Sequence, residues 1–390
     1  MRIALFGARG IPHTYSGTET FFGELAPRLA DRGHEVLVYC RRSLFHDRPP
    51  SYKGVQLIYM PSMETKNLST PTHTLLCAID VLFRSVDVML ITNVANACIC
   101  VIPRFFGKRV ALNVDGVEWW RSKWSAIGRR YFYWNARAAG KICPHGVITD
   151  ALEMQRIYLE EFGTRSTCIA YGANIESSTN PEAVRKYGLE PFQYYLIASR
   201  LVPENNADLI VEGFKSSASG KVLAIAGDAN YRSTFVNSLK RTTDSRIRVL
   251  GHVGNSDDVK ELHCNCYAYI HGHSVGGTNP ALLKALGYSN CVLALNNGFN
   301  RDVLGDYGVL FDSAADLSLK IDRLEQNPHE AERLRQKAPQ RILERYTWEH
   351  VTDQYEDYFR RLVAGESPAL DTAIGMYVPK SEQFAAASKL

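Results

Sequence analysis

The stretch "CYAYIHGHSVGGTNPALLKAL", residues 266–286, places a short apolar run directly before a glycine pair and a proline. We interpret "CYAYIHG" as a buried strand, because it is short, apolar and rich in aromatic residues. Pro280 suits the first turn of the following helix, where a missing N–H costs nothing. The turn at residues 276–279 then presents free backbone amides, which predicts a phosphate site at a helix N-terminus. A plain turn would explain the proline but not the doubled glycine.

The same alternation of apolar strands and amphipathic helices runs through the rest of the chain. Runs such as "RIALFG", "DVMLIT", "RVALNVDG" and "YYLIASR" recur roughly every 20 to 30 residues, as strands joined by crossover helices do. The composition turns polar between Ala173 and Pro191, which indicates a linker. We therefore predict an α/β protein with two facing doubly wound Rossmann-like domains, residues 1–175 and 190–345, and a cleft between them. We expect residues 364–390 to form a weakly ordered tail.

Composition and charge narrow the functional classes. The 390 residues are 45% apolar and 22% charged, as in ordinary globular proteins. A net charge of +4 is far from the dense basic surfaces that bind nucleic acid, so no nucleic-acid partner is expected. The nine cysteines lack metal-binding spacing, and the first apolar run enters a glycine loop without a cleavage site. We expect a cytoplasmic protein with reduced thiols and no membrane span, since polar residues interrupt the apolar residues 86–103.

Two turns of the first half carry polar residues at the predicted sheet edge. "GARGIPHTYSGTET", residues 7–20, has neither the G-x-G-x-x-G register nor a P-loop, so a dehydrogenase or an ATPase is not indicated. Gly17 would let backbone amides approach a phosphate, unless Thr18 is a simple helix cap. In "NVDGVEWW", residues 113–120, Asp115 and Glu118 could act as bases or orient sugar hydroxyls. The open alternative is that Asp115 caps the turn and Glu118 is solvated.

A further turn, "SRLVPENN" at residues 199–206, begins the second half. Arg200 stands at the end of a predicted strand, where its fork of donors could clamp a diphosphate. Pro203 and Glu204 fit the first turn of a helix. The alternative is a structural arginine paired with an aspartate.

These four turns, in this order, resemble those of family 4 glycosyltransferases with the GT-B fold. The nearest subgroup is the bacterial rhamnosyltransferase-like set, which opens with a G-[TA]-R-G-I-P loop, here "GARGIP". The resemblance implies a retaining hexosyltransferase whose second domain holds a nucleotide-sugar donor and whose first domain holds the acceptor. It also implies that a C-terminal helix, at about residues 347–363, completes the first domain.

The resemblance also assigns roles to single residues. Gly17 matches the glycine that approaches the donor phosphates, Arg200 matches the diphosphate clamp, and Asp115 stands near the donor sugar with Glu118 as a second catalytic candidate. Asn205 occupies a position where the wider family has lysine, and the family's E-x7-E acids fall on Gly276 and Lys284. The expected donor-binding residues are Gly17, Arg200, Asn205, His273, Gly276, Gly277, Thr278, Asn279 and Lys284.

The resemblance suggests rhamnose from dTDP-rhamnose as the donor sugar and a saccharide or polyprenyl-diphosphate-linked acceptor in envelope polysaccharide synthesis. No D-x-D stands at a strand end, so neither a metal nor another cofactor is expected. The segment "EWWRSKWSAIGRRYFYWNARAAGK", residues 118–141, mixes aromatic and basic side chains. Such a mixture suits the headgroup level of an anionic membrane, at its inner face. The alternative is that the aromatic side chains pack into the core while the bases are solvated.

Two other functions remain open from the sequence. One is a nucleotide-sugar epimerase on the same two-domain scaffold, which would consume a donor in the absence of any acceptor. The other is a degenerate member that binds a sugar nucleotide without catalysis, since Gly276 and Lys284 replace two acids.

Overall fold

The computed structural model describes residues 1–12, 17–65, 68–121, 123–143, 146–228 and 244–367. The first domain is built on a sheet with the strand order β3-β4-β2-β1-β5-β6-β7-β8, in which every neighbouring pair is parallel except β3 and β4. Its strands are β1 Arg2–Phe6, β2 Glu35–Arg41, β3 Ser51–Tyr52, β4 Val55–Met60, β5 Val88–Thr92, β6 Arg109–Val114, β7 Val147–Thr149 and β8 Thr167–Cys168.

Helices cover both faces of this first sheet. Its described α-helices are α1 Gly17–Asp31, α2 Ser69–Asp80, α3 Val101–Phe105, α4 Ala126–Ile142 and α5 Leu152–Phe162. Phe21 and Leu25 of α1 belong to one buried cluster, whereas Cys77 of α2 and Phe132 of α4 belong to another. The strands are buried on both sides, as the continuous apolar runs predict.

The second domain has a six-stranded sheet with the order β11-β10-β9-β12-β13-β14, and all of its pairs are parallel. Its strands are β9 Tyr194–Ala198, β10 Val222–Ala226, β11 Ile247–Gly251, β12 Ala268–His271, β13 Val292–Leu295 and β14 Val309–Phe311. Its described helices are α6 Ala207–Ser216, α7 Ser256–Cys264, α8 Pro280–Gly287, α9 Gly298–Leu304, α10 Ala314–Gln326 and α11 Pro328–Arg345. Two doubly wound parallel sheets thus confirm the predicted fold class.

The last described helix, α12 at Trp348–Ala364, returns to the first domain. The Asn113 Nδ2 atom on β6 donates a hydrogen bond of 2.8 Å to the hydroxyl of Tyr355, and Phe21 of α1 packs against the same ring. Thr347 caps α12 by accepting a hydrogen bond from the His350 amide. Residues 368–390 of the expected tail lie outside the described residues.

The two sheets present their carboxyl ends to each other. The Thr278 hydroxyl, just before α8, donates a hydrogen bond to the backbone oxygen of Asp150, just after β7. A Cβ atom on Gly17, the first residue of α1, would lie 3.2 Å from Cγ of Pro280. The loops after β1, β6 and β7 therefore face the loops after β9 and β12 across one cleft.

Candidate active site

The loop before α8 forms one wall of this cleft, and we call residues 276–279 the amide loop. As predicted, α8 begins at Pro280, and the Asn279 side chain caps it by accepting a hydrogen bond of 2.9 Å from the Ala281 amide. The amide and hydroxyl of Ser274 both donate to the backbone oxygen of Glu204, at 2.9 and 3.0 Å. The amide loop is thus held against the turn that follows Arg200, with the N-terminus of α8 facing the first domain.

Of the two adjacent glycines, only Gly277 lies too close to a neighbouring residue to carry a side chain. A Cβ atom there would overlap the carboxylate of Asp150, whereas a Cβ atom on Gly276 would meet nothing within 4 Å. Neither glycine has a positive φ, so close approach and not backbone freedom explains Gly277. A first-domain carboxylate therefore lies directly against the amide loop of the second domain.

The sequence reasoning missed Asp150, although a signal was present. Asp150 ends the run "VITD", so its carboxylate follows β7 in the way that Asp115 follows β6. Adjacent parallel strands bring such residues to the same sheet edge. Asp150 is 2% exposed, and its Oδ1 has no hydrogen-bond partner among the described residues.

Asp115 and Asp150 share one poorly solvated environment. Burial, with a further contribution from the charge of Glu118, raises the pKa of Asp115 to about 7. Burial, followed by the charge of Asp115, raises the pKa of Asp150 well above its usual range. The Thr18 hydroxyl donates a long hydrogen bond of 3.4 Å to Oδ2 of Asp115. Because each charge disfavours the other, the pair holds a proton near neutral pH.

Glu118 has a different environment from Asp115. Its carboxylate forms ion pairs with Nε of Arg121 at 2.9 Å and Nζ of Lys123 at 3.0 Å, and it accepts a hydrogen bond of 2.6 Å from the Trp124 indole. Although burial opposes ionisation, the two cations hold the pKa of Glu118 below its usual range. Three donors fix this carboxylate, which favours Asp115 over Glu118 as the group that acts on a substrate.

Arg200 and Asn205 lie on the opposite wall and differ in exposure. Arg200 is exposed, and within the described part of the chain its guanidinium has no ion-pair partner. Asn205 is buried and its Nδ2 donates a hydrogen bond of 2.7 Å to the backbone oxygen of Arg200. Asn205 therefore supports the backbone of Arg200 and does not itself present a donor to the cleft.

His273 lies between the two walls. Its ring stacks on that of His271 at 4.2 Å, and the side-chain amides of Asn297 and Asn300 both donate to its backbone oxygen at 2.9 Å. Burial, together with the charges of Arg200 and Arg121, lowers the pKa of His273 to about 3. The imidazole is therefore neutral at physiological pH.

The structure brings most of the predicted site residues together, with Lys284 as the exception. Lys284 is exposed in the last turn of α8, and its charge acts on the buried His263 of α7. No contact between described residues joins Lys284 to Arg200 or to the amide loop. The cluster consists of Gly17, Asp115, Glu118, Arg200, His273, Gly277 and Thr278, to which the structure adds Asp150, Arg121 and Lys123.

Two family models match this chain, and the boundary between the matched regions coincides with the boundary between the two sheets. Residues 1–174 match the model of a domain of unknown function, DUF1972, and residues 180–341 match that of the glycosyl transferases group 1. The region that matches the group 1 model, here called the group 1 domain, carries Arg200, His273 and the amide loop. The region that matches DUF1972, here called the DUF1972 domain, supplies the carboxyl groups. No curated protein matches the sequence.

Several solved structures share the whole architecture. The structure of HepE from Anabaena in complex with UDP has a TM-score of 0.73 and 14% identity, covering 92% of this chain and 100% of its own. A glycosyltransferase from Rickettsia africae has a TM-score of 0.71 and 14% identity, and the match covers 93% of this chain and 98% of that protein. Sucrose-phosphate synthase from Thermosynechococcus elongatus has a TM-score of 0.72 and 13% identity, and the match covers 94% of this chain and 100% of that protein. The chain therefore has the GT-B fold, as predicted, and these findings support a GT-B glycosyltransferase.

Proposed function

We propose that this protein transfers a sugar from a nucleoside-diphosphate donor to a hydroxyl of a saccharide acceptor, with retention of anomeric configuration. The observation that carries the proposal is Arg200, which has no ion pair among the described residues, beside the amide loop and across the cleft from the half-buried Asp115 and the buried Asp150. An unpaired guanidinium and a helix N-terminus suit a diphosphate. The group 1 domain supports the same reading, and HepE has been solved with UDP and with UDP-glucose.

The residues of the cleft suggest how transfer proceeds. The bond between the anomeric carbon and the diphosphate oxygen breaks, and a bond from that carbon to the acceptor oxygen forms. Arg200 and the amides before α8 stabilise the charge on the departing diphosphate, whose oxygen takes the acceptor proton. Asp115, in its ionised form, accepts hydrogen bonds from the donor sugar and stabilises the positive charge at the anomeric carbon.

The finer assignment follows the sequence resemblance. We propose rhamnose or another hexose as the sugar, dTDP-rhamnose as the first donor to test, and a lipid-linked or oligosaccharide acceptor of envelope polysaccharide synthesis. A thermal-shift screen with dTDP, UDP, GDP and ADP tests the donor site. We expect at least one diphosphate to raise the unfolding temperature, and the corresponding nucleoside to have little effect. Stabilisation by none of the four would contradict the proposal.

We further propose that transfer needs no metal ion. Among the described residues, no group of three or more His, Cys, Asp or Glu side chains is placed to hold one. Arg200 and the helix N-terminus then carry the diphosphate charge. We expect EDTA to leave the initial rate unchanged within about twofold. Complete loss with EDTA, restored by magnesium, would show that a metal takes part.

We also propose that the protein associates with an anionic membrane surface, and the exposed side chains of the first domain support this proposal. No described helix has the length and apolar character of a membrane span. The side chains of the segment 118–141 divide: Trp119 and Phe132 are buried in the core, whereas Trp134 is 52% exposed. Other exposed apolar side chains of the first domain are Phe83, Phe105, Phe106 and Ile127.

Basic residues surround this apolar surface, which we call the aromatic face. Residues 88–149 contain nine Lys and Arg residues but only two acids, Asp115 and Glu118, and both acids lie in the cleft. Apolar side chains with a basic surround suit an anionic lipid surface. Arg121 and Lys123 pair with Glu118 in the cleft. The other seven bases are Arg104, Lys108, Arg109, Arg129, Arg130, Arg137 and Lys141.

Removing aromatic side chains tests this face. We expect Phe105→Ala with Phe106→Ala to weaken sedimentation with phosphatidylglycerol vesicles roughly tenfold or more, since each ring loses buried apolar area. Leu319→Ala, on the equally exposed but distant α10, is the matched control and should bind as the wild type does. If the wild type fails to sediment with anionic vesicles at low salt, the membrane proposal is wrong.

A further inference from the structure

The site contains more positive charge than the donor-binding motif provides. We propose that Arg121 and Lys123 of the first domain bind the donor diphosphate together with Arg200, and so supply the charge that Asn205 lacks. This inference rests on the proposed function, since it concerns the same donor. It assigns a ligand contact to two residues that the sequence motifs did not mark as donor-binding.

The loop after β6 fixes the two first-domain cations. Gly116 has a φ of +79°, and the chain turns back there so that one guanidinium nitrogen of Arg121 lies 3.4 Å from the position of a Cβ on Gly116. Glu118 then holds Arg121 and Lys123 through one oxygen each. Because Glu118 is itself buried, it acts as an anchor that keeps both cations at the mouth of the cleft.

The loop that carries these two cations lies across the cleft from the second domain, because Thr18 bonds Asp115 at the start of this loop and the neighbouring Gly17 approaches Pro280. Burial lowers the pKa of Lys123, Glu118 opposes that effect, and the charges of Arg121 and Arg200 add to it. The charges of Arg200 and Arg121 both act on His273. Three cations against the carboxylate of Glu118 leave an excess of two positive charges, or of one when Asp115 is ionised, and a bound diphosphate diester would neutralise this excess.

Several groups around this point have no partner. The Arg200 guanidinium has no ion pair within the described residues, and Nδ1 of His273 is buried without a hydrogen bond among them. Asn205, where a lysine was expected, donates to a backbone oxygen instead. Three cations that Glu118 offsets only in part repel one another, so an anion between the walls would stabilise the closed arrangement.

One ligand held by both domains has a mechanical consequence. A diphosphate bound to Arg121, Lys123 and Arg200 draws the DUF1972 domain and the group 1 domain together. The cations thereby couple donor binding to closure of the cleft, which brings Asp115 to the sugar. A nucleoside without phosphates cannot do this.

Nucleotide titration of charge-removing variants tests the inference. We expect Lys123→Gln to weaken binding of UDP and dTDP about five- to tenfold, and Arg121→Gln with Lys123→Gln to weaken it fiftyfold or more. Binding of uridine or thymidine should not change, and the loss should shrink at high salt. Lys141→Gln, an exposed cation at the end of α4, is the control and should bind both diphosphates normally.

The outcomes separate this inference from the proposed function. If wild type binds a diphosphate, Arg200→Gln abolishes that binding and the Arg121 and Lys123 variants bind as the wild type does, the inference is wrong and the proposed function stands. If the wild type binds none of dTDP, UDP, GDP and ADP, both are wrong. The unfolding temperature of each variant without nucleotide shows that reduced binding does not arise from unfolding.

Discussion

Replacing Asp115 by asparagine is expected to lower kcat for sugar transfer roughly 100- to 1,000-fold, since the ionised carboxylate stabilises charge only in the transition state. The same group should set the pH dependence. Because the pKa of Asp115 in the unliganded protein is raised to about 7, wild-type kcat/KM is expected to rise with pH through that value. Residual activity of Asp115→Asn should lack this rise. Initial rates between pH 5 and 9 measure both effects.

The same substitution should have the opposite effect on stability. A raised pKa in the folded state means that folding favours the neutral carboxyl, so Asp115 costs stability as pH rises from about 4 to about 7. Asparagine removes that cost and should stabilise the protein by roughly 2 to 4 kcal/mol at pH 8, with little change at pH 4. Thermal unfolding at the two pH values measures the difference.

An exposed aspartate provides the control for both measurements. Asp31 lies at the end of α1 and is exposed, so Asp31→Asn should change neither kcat nor the pH dependence of stability. If Asp115→Asn instead lost activity and stability together at pH 8, its carboxylate would be structural, and the assignment of charge stabilisation to it would be wrong.

Substituting alanine for Gly277 is the second change with a large expected effect. The new Cβ atom would overlap the Asp150 carboxylate, so the buried Asp150 side chain or the amide loop must shift. A displacement of about 1 Å between reacting groups costs roughly 100-fold in rate, and we expect kcat/KM to fall at least that far. Steady-state kinetics with the best donor measures this change.

The adjacent glycine is a matched control for that prediction. Gly276→Ala meets nothing within 4 Å and should retain activity within a few-fold. Asp150→Ala removes the atoms that a Cβ at residue 277 would strike, so diphosphate binding should be partly restored in the double variant relative to Gly277→Ala alone. Equal losses for the two glycine variants would show that contact with Asp150 is not the cause.

Local sequence patterns were sufficient to predict the fold class and the start of α8. Continuous apolar runs identify parallel strands, and Pro280 marks the start of α8, because both depend on residues close in sequence. The contact of Thr278 with Asp150 joins residues 128 positions apart, and it forms only when two domains face each other. No local pattern could have paired the second glycine of the loop with that carboxylate.

The roles of single polar residues were harder to predict for a related reason. Asp115 and Glu118 are three residues apart and look equivalent in sequence, yet Glu118 is fixed by two cations and an indole whereas Asp115 faces the cleft. Lys284 shares the helix that follows the amide loop but lies exposed in its last turn. Side-chain partners, rather than positions in a motif, distinguish these residues.

Product analysis tests the central claim most directly. The protein is incubated with dTDP-rhamnose or UDP-glucose, with and without a polyprenyl-diphosphate-linked saccharide, and the products are separated and their anomeric configuration is determined. We predict release of nucleoside diphosphate that depends on the acceptor, together with a new glycoside that retains the configuration of the donor sugar. An epimerised sugar nucleotide formed without acceptor, or tight binding of the donor with no new glycoside, would contradict the account.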